Sequence, residues 1–283
     1  MFTLKIENAA GSVVELTHDR KNYGIISVQG LTRPPAQINA ATAGTVDGAF
    51  YNSARLEMRN IVITVVPFGD IEGNRQRLYD IFPLPHTPCT VYFENKNRSV
   101  KIQGYVETLE GDLFQNRETI QVSIICPRPY WQDLTTIYTE LSQTLARFEF
   151  PFSITEPIPI SEYTEYPVAT VINSGDVISG LVIHVSVTGA VSGLMIYNST
   201  TGQYIGFDYA FQSGDEITVN TLSGSLSARL LRQGQTINLM QYLASGSSWL
   251  KLALGENNFT FSATDGAENI KITLETVNLY GGV

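Results

Sequence analysis

Three histidines, two cysteines and scattered carboxylates are the residues through which this chain could do chemistry. His18, His86 and His184 lie in separate segments, and none stands beside a nucleophile elbow, where a base would activate Ser or Cys. His184 sits in an alternating, strand-like run, which suits a structural histidine. Cys89 and Cys126 are 37 positions apart, each against an apolar run. Cys126 ends such a run, so a buried, inert thiol outweighs a reactive one. Neither CxxC nor HxxxH occurs, so transition-metal spacing is missing and no metal ligand is assigned. Carboxylate pairs such as Asp215-Glu216 stand at turns, leaving calcium between β-turns as an open alternative. Paired acids for glycoside hydrolysis could be drawn from many residues, which makes any choice arbitrary. No GxxxxGK[ST] loop is present, and no cofactor is implied. Nothing here points to a catalyst.

The aromatic residues around Tyr197, Tyr204, Phe207, Tyr209 and Phe211 admit two readings. Exposed on a β-sandwich, Tyr204, Tyr209 and Trp249 would be candidates for stacking on sugar rings. Alternating inward, the same residue types fill a core, and that reading is favoured.

The bulk numbers set the frame for these residues. At 283 residues the chain suits two domains, and 43% apolar against 16% charged residues gives ample material for packed cores. Tyr, Phe, Thr, Ile and Val favour strands. Residues 1–133 carry 13 Lys and Arg against 14 Asp and Glu, whereas residues 134–283 carry 5 against 13. The second half, at a net charge of −8, would repel phosphate backbones, so a basic nucleic-acid-binding patch is disfavoured. No stretch approaches the ~18 apolar residues of a membrane span, and no signal peptide opens the chain.

Patterning then predicts the elements. Phe2, Leu4 and Ile6 alternate, Tyr23 to Val28 is a short strand, and Ala54 to Val66 reads as one strong strand. Between them, Arg33 to Gly48 lacks a clear period and reads as a loop or hairpin arm, of a length usually functional or held by a partner. A helix is predicted over Glu72 to Phe82, capped by Asp70 and stopped by Pro83. Strands follow at Thr90–Glu94, Val100–Leu109 and Gln115–Cys126. Leu134, Ile137, Tyr138, Leu141, Leu145 and Phe148 recur at helical spacing, predicting a second helix. Pro151, Pro157 and Pro159 mark a stiff linker. Beyond Tyr166, eight short strands with Gly, Asn or Asp turns describe a β-sandwich. The fold class is mainly β with minor α: an N-terminal β domain with one helix over 1–133, helix and proline-rich linker over 134–160, and a sandwich over 161–283.

Several stretches in order resemble one family, the distal tail proteins of long-tailed bacterial viruses, a siphovirus tail component family. They are Glu15-Leu16-Thr17, Tyr23-Gly24-Ile25, Gly30-Leu31, and Asp47-Gly48-Ala49-Phe50-Tyr51-Asn52. Arg59-Asn60-Ile61-Val62-Ile63, Arg75-Gln76-Arg77-Leu78-Tyr79 and the run Gln121 to Trp131 continue the series, with Arg128 where the family has Asp. The second half adds Gly214 to Thr221, Gly224-Ser225, Leu239 to Leu243, and Trp249 to Asn257.

The resemblance implies a virion protein made in the host bacterial cytoplasm and placed at the distal tip of the tail. Its first domain would form a homohexameric ring, or two stacked rings, joining the tail tube protein to the tail-tip protein. DNA would only pass through the lumen. Its galectin-like (jelly-roll) sandwich would contact receptor-binding proteins. A phage, a prophage and a tail-derived bacteriocin are equally compatible origins. A closed ring needs a heterologous contact, which the balanced charge of residues 1–133 suits. Arg33, Pro34, Pro35, Gln37 and Asn39 are the candidates for an arm reaching the neighbouring subunit, and the lumen is expected to lack a basic stripe. The alternatives are a carbohydrate-binding adhesion module and a tail-associated hydrolase.

Overall fold

A computed structural model describes residues 2–16, 22–42, 44–45, 47–82, 86–112, 118–142 and 167–283. His18, Pro83, the helix positions Leu145 and Phe148, and the proline linker at Pro151, Pro157 and Pro159 lie outside these residues. The chain divides into two compact units, Met1–Leu134 with Leu279–Val283, and Thr135–Asn278.

In the first unit the strands are β1 (Thr3–Asn8), β2 (Val13–Leu16), β3 (Tyr23–Gln29), β4 (Ala36–Ala41), β5 (Phe50–Leu56) and β6 (Arg59–Pro67). Helix α1 (Ile71–Ile81), β7 (Cys89–Glu94), β8 (Ser99–Asp112), β9 (Thr119–Cys126) and β10 (Trp131–Asp133) follow. Antiparallel pairing orders the main sheet β2-β1-β7-β8-β9-β6-β3. Alternation does the sorting: Leu4 and Ile6, Val91 and Phe93, Val100 and Ile102, Val122 and Ile124, and Ile61 and Ile63 all point to one buried face. Helix α1 closes that face with Leu78 and Ile81. The helix begins where the Gly73 N–H donates to Asp70 Oδ1 (3.0 Å), as the capping pattern predicted. Asn95 Oδ1 accepts from the N–H groups of Asn97 and Arg98, forming the turn that pairs β7 with β8.

The predicted single strand from Ala54 to Val66 is two strands. It breaks at Glu57 and Met58, both exposed, because β5 leaves the main sheet to pair with β4.

The second unit contains β11 (Ile137–Ser142), β12 (Ala169–Asn173), β13 (Val182–Val187), β14 (Val191–Asn198) and β15 (Gln203–Phe211). It continues with β16 (Glu216–Asn220), β17 (Ser227–Arg232), β18 (Gln235–Asn238), β19 (Gly255–Ser262) and β20 (Ile270–Thr276). Two sheets, ordered β11-β20-β13-β16-β17-β18 and β12-β19-β14-β15, enclose a core that includes Leu181, Phe207, Phe211, Phe259 and Phe261. Buried Asn257 accepts from the Ala253 N–H (2.8 Å) and donates to the Ala253 carbonyl (2.9 Å). Asn198 Nδ2 donates to the Lys251 carbonyl (2.8 Å), so the two amides tie the long approach to β19 onto the sheet.

The helix predicted from Leu134 is a correction. Ile137–Ser142 is a strand running antiparallel to β20, with Leu141 opposite Ile272. Thr135, Thr136 and Thr139 resist helix, and a sheet edge supplies the backbone partners that spacing cannot reveal. A second correction concerns the last residues, read from sequence as part of the sandwich. Leu279 and Tyr280 form β21, which pairs with β10 in the first unit. The sandwich is therefore an insertion between Leu134 and Leu279.

Within the sandwich, buried Asp215 accepts from Arg232 Nε (2.8 Å), Arg232 Nη2 (2.6 Å) and the Gln212 N–H (2.8 Å). The Arg232 hydrogen bond holds its carboxyl below the usual carboxylate range. A depressed folded pKa contributes stability that is complete above the unfolded value of about 3.9 and is lost as pH falls through the folded value. Asp215→Asn leaves the Arg232 guanidinium without its carboxylate, and is expected to cost about 3 kcal/mol at neutral pH. It should also flatten the acid side of the stability profile, read as denaturant midpoints at successive pH values.

Candidate interaction surfaces

The hairpin β4–β5 stands apart from the main sheet. Pro34 and Pro35 fix an extended entry, and the Glu57 N–H donates to the Pro35 carbonyl (3.0 Å) at its base. Register pairs Ala36 with Leu56, Ile38 with Ala54, and, beyond a bulge, Ala40 with Tyr51. Partners directly opposite share a face, so these six make one apolar side. Gln37, Asn39, Ser53 and Arg55 make the other, where Arg55 Nε donates to Gln37 Oε1 (2.9 Å). Such alternation normally marks a half-buried ribbon. Here Ile38 is 65% exposed and Tyr51 67%, with Phe50 at 62% beside them. An isolated two-stranded ribbon is marginal in water, and an uncovered apolar side of this kind marks a contact surface.

Sequence reasoning found the segment, and the residues it named lie off the apolar side. Among its candidates, Pro34 is buried, Arg33 and Pro35 precede the strand, and Gln37 and Asn39 lie on the polar face. The period-two run Ala36, Ile38, Ala40 was the available signal.

The uncovered face of the main sheet has its own character. Lys5 and Lys101 are set there against Glu7, Glu15, Glu94 and Glu107, and Lys5 Nζ lies 4.0 Å from Glu15 Oε2. Arg59, the arginine in the described strands of this sheet, points inward. It sits at the strand end of β6, 1% exposed. Its Nε donates to the Pro129 carbonyl (2.8 Å), Nη1 to the carbonyls of Gly30 and Thr32, and Nη2 to the Gly281 carbonyl (2.6 Å). The Trp131 ring lies 5.4 Å away, and burial pulls the guanidinium pKa below its ordinary value. Gly30 is required here: its φ is +82°, and a Cβ would fall 1.9 Å from the Asn60 carbonyl oxygen.

The chemical candidates disperse. Cys89 and Cys126 are buried on either side of Gly104, and burial pushes their thiols up to about 11 and about 12, protonated at neutral pH. His184 Nε2 lies 2.8 Å from Glu275 Oε2, cross-strand on the six-stranded sheet, and His86 is in an exposed turn. Among the described residues no group of three His, Cys, Asp or Glu could hold a metal ion, and no helix is long and apolar enough to cross a membrane.

The three sugar-stacking candidates do not form one platform. Tyr209 packs toward the core, 4.7 Å from Tyr242 and 5.2 Å from Phe211, and Trp249 also packs against the core. Tyr204 lies outside, 5.8 Å from Tyr197, donating to the Ser245 carbonyl (2.8 Å). Near this pair is an open cleft of about 530 Å³, whose described lining, including Val168, Tyr197, Gln203, Thr260 and Ser262, carries no charge.

Residues 174–276 match the family model of the siphovirus-type tail component, C-terminal domain. No curated protein matches the chain significantly. Among solved structures, the crystal structure of SPP1 Dit (gp 19.1), described as a paradigm of hub adsorption apparatus in phages infecting Gram-positive hosts, superposes with a TM-score of 0.67 at 15% identity. The match covers 97% of this chain and 98% of that one, so the two share a fold across both units. Chains of the phage P2 baseplate in its activated conformation with Ca and with Sr match at a TM-score of 0.49 and 11% identity. They cover 97% and 98% of this chain, and 98% of each of those chains. The resemblance to siphovirus distal tail proteins read from the sequence agrees with the family match and the shared fold.

If the arm's apolar side is covered only by a partner, Ile38→Ser and Tyr51→Ser should leave the melting temperature of the dilute monomer within about 2 °C, as for other unburied positions. Calorimetry reads this directly, and a fall of more than about 5 °C would mean that the arm packs within its own chain.

Proposed function

We propose that this siphovirus-type tail component is a structural hub at the distal end of a phage tail, where its first unit closes into a homohexameric ring. The observation that carries this reading is the arm β4–β5, a ribbon whose apolar side is left exposed by the described residues of its own unit. Placed against a different surface on the next copy, it makes the heterologous contact that a closed ring requires. Repeated around the ring, the contact buries Ile38 and Tyr51 six times over. The interface lies on this apolar side, with Gln37 and Asn39 on the far face and Arg33 at the root.

In this reading the ring joins the tail tube protein to tail-tip and receptor-binding proteins, and DNA only passes through it. Passage requires a bore that does not hold the duplex. The uncovered sheet face of the first unit, with two lysines among carboxylates that include Glu7, Glu15, Glu94, Glu107 and Glu110, meets that condition. The role is mechanical, and the buried, protonated thiols fit it.

A second reading has the sandwich recognise a neutral saccharide, and the uncharged cleft beside Tyr197 and Tyr204 is what favours it. A glycan array at millimolar sugar separates the two, because silence there leaves the hub alone.

Light scattering across a range of concentrations tests the ring. A discrete species of six subunits, or twelve for stacked rings, is expected. Ile38→Asp should weaken assembly by roughly thirtyfold or more, the effect of losing an apolar anchor worth about 2 kcal/mol. A monomer at every concentration would reject self-assembly by the arm.

A further inference from the structure

The chain's last residues lie directly against the root of the arm. A Cβ on Gly281 would come 3.3 Å from Arg33 Nε, and one on Gly282 would come 3.2 Å from the Arg33 nitrogen. The Val283 N–H donates to the Leu31 carbonyl (3.2 Å). Arg59 binds both sides of this contact, the Gly30 and Thr32 carbonyls at the arm root and the Gly281 carbonyl of the returning strand. The strand is held in turn by Arg98, whose Nη1 donates to the Gly282 carbonyl (2.7 Å) and whose guanidinium carbon lies 4.0 Å over the Tyr280 ring. The Tyr280 hydroxyl is 3.2 Å from Asp133 Oδ2.

We propose that Leu279–Gly282 is a strap whose seating sets the order of the arm root, so that the arm is held only while the strap is down. The physical reason is the shared cation. A buried guanidinium stripped of the Gly281 carbonyl keeps an unpaired donor in a dry site, so the node does not loosen one bond at a time. Release of the strap relaxes Gly30–Arg33 with it. Because the sandwich is inserted between Leu134 and Leu279, its covalent connections to the first unit are the segment ending at Leu134 and this strap, which can carry load between them. The device thus connects what happens at the sandwich to the surface that builds the ring. That last consequence rests on the ring reading, whereas the coupling of strap to arm does not.

Hydrogen exchange on the full chain tests the coupling. In Arg98→Ala/Tyr280→Ala, amides of the strap and of residues 31–41 and 50–57 should exchange roughly tenfold faster, the scale of one lost charged hydrogen bond. Amides of β7 and β9 should be unchanged. Oxidising Gln132→Cys with Leu279→Cys, at directly opposed positions of β10 and β21, should restore slow exchange in the arm of that variant. Faster exchange confined to the strap overturns the proposal, as does an arm that stays fast when the strap is locked. Should the double variant unfold, as fast exchange in β7 and β9 would reveal, wild-type exchange decides. The Val283 amide and the arm-root amides must then share one opening transition as denaturant rises, and separate transitions overturn the coupling. Exchange coupling in a protein that never forms rings would sink the ring reading and leave the strap standing.

Discussion

Arg59 lies on a strand whose other inward positions are Ile61, Ile63 and Val65, the wrong company for a charge. Among the described residues its hydrogen-bond partners include no carboxylate. Main-chain carbonyls from three stretches of sequence, Gly30–Thr32, Pro129 and Gly281, take up the guanidinium instead, with the Trp131 ring beside it. An arginine is suited to this because its planar fork presents several fixed donors, which a lysine cannot do. The cost of burying the ion is met only when all these segments are in place. The entry to the arm, the exit toward the sandwich and the end of the chain therefore converge on one side chain.

That convergence gives the first unit its division of labour. Below the node, the main sheet and helix α1 form an ordinary core, with α1 capped by Asp70 and pinned by the hydrogen bond from the Tyr23 hydroxyl to the Asn74 carbonyl. Beyond it, among the described residues the arm has no core of its own and is held by its ladder of hydrogen bonds and the Arg55–Gln37 bond. If the arm builds the proposed ring, its apolar side must be kept in shape before the partner arrives. Anchoring the root while leaving the ribbon uncovered satisfies that demand.

The sandwich is organised differently. Its centre is aromatic, with Phe207 and Phe211 edge to face at 6.3 Å, and its long connections are fastened by buried amides and by the Asp215–Arg232 pair. These interactions fix loops on a rigid scaffold. Tyr209 and Trp249, attractive as sugar platforms in the sequence, are used in the packing. Of the three only Tyr204 is left outside, next to Tyr197.

Much of this was determined by sequence alone. Period-two alternation in Leu4 and Ile6, Val91 and Phe93, and Ile183 and Val185 specifies strands with one buried face, because a pleated strand can do nothing else with such a pattern. Asp70 three residues before Gly73 specified where the helix starts. The order of short motifs carried the family resemblance. Three things were left to the tertiary structure. Ile137–Ser142 became a strand because β20 offered an edge, and helical spacing over so few residues cannot exclude that. The final residues joined the first unit because Arg59 and Arg98 needed carbonyls there, a demand that no local pattern encodes. And the exposure of the arm's apolar side was hidden, since alternation identifies two faces but only the surrounding fold decides which is covered.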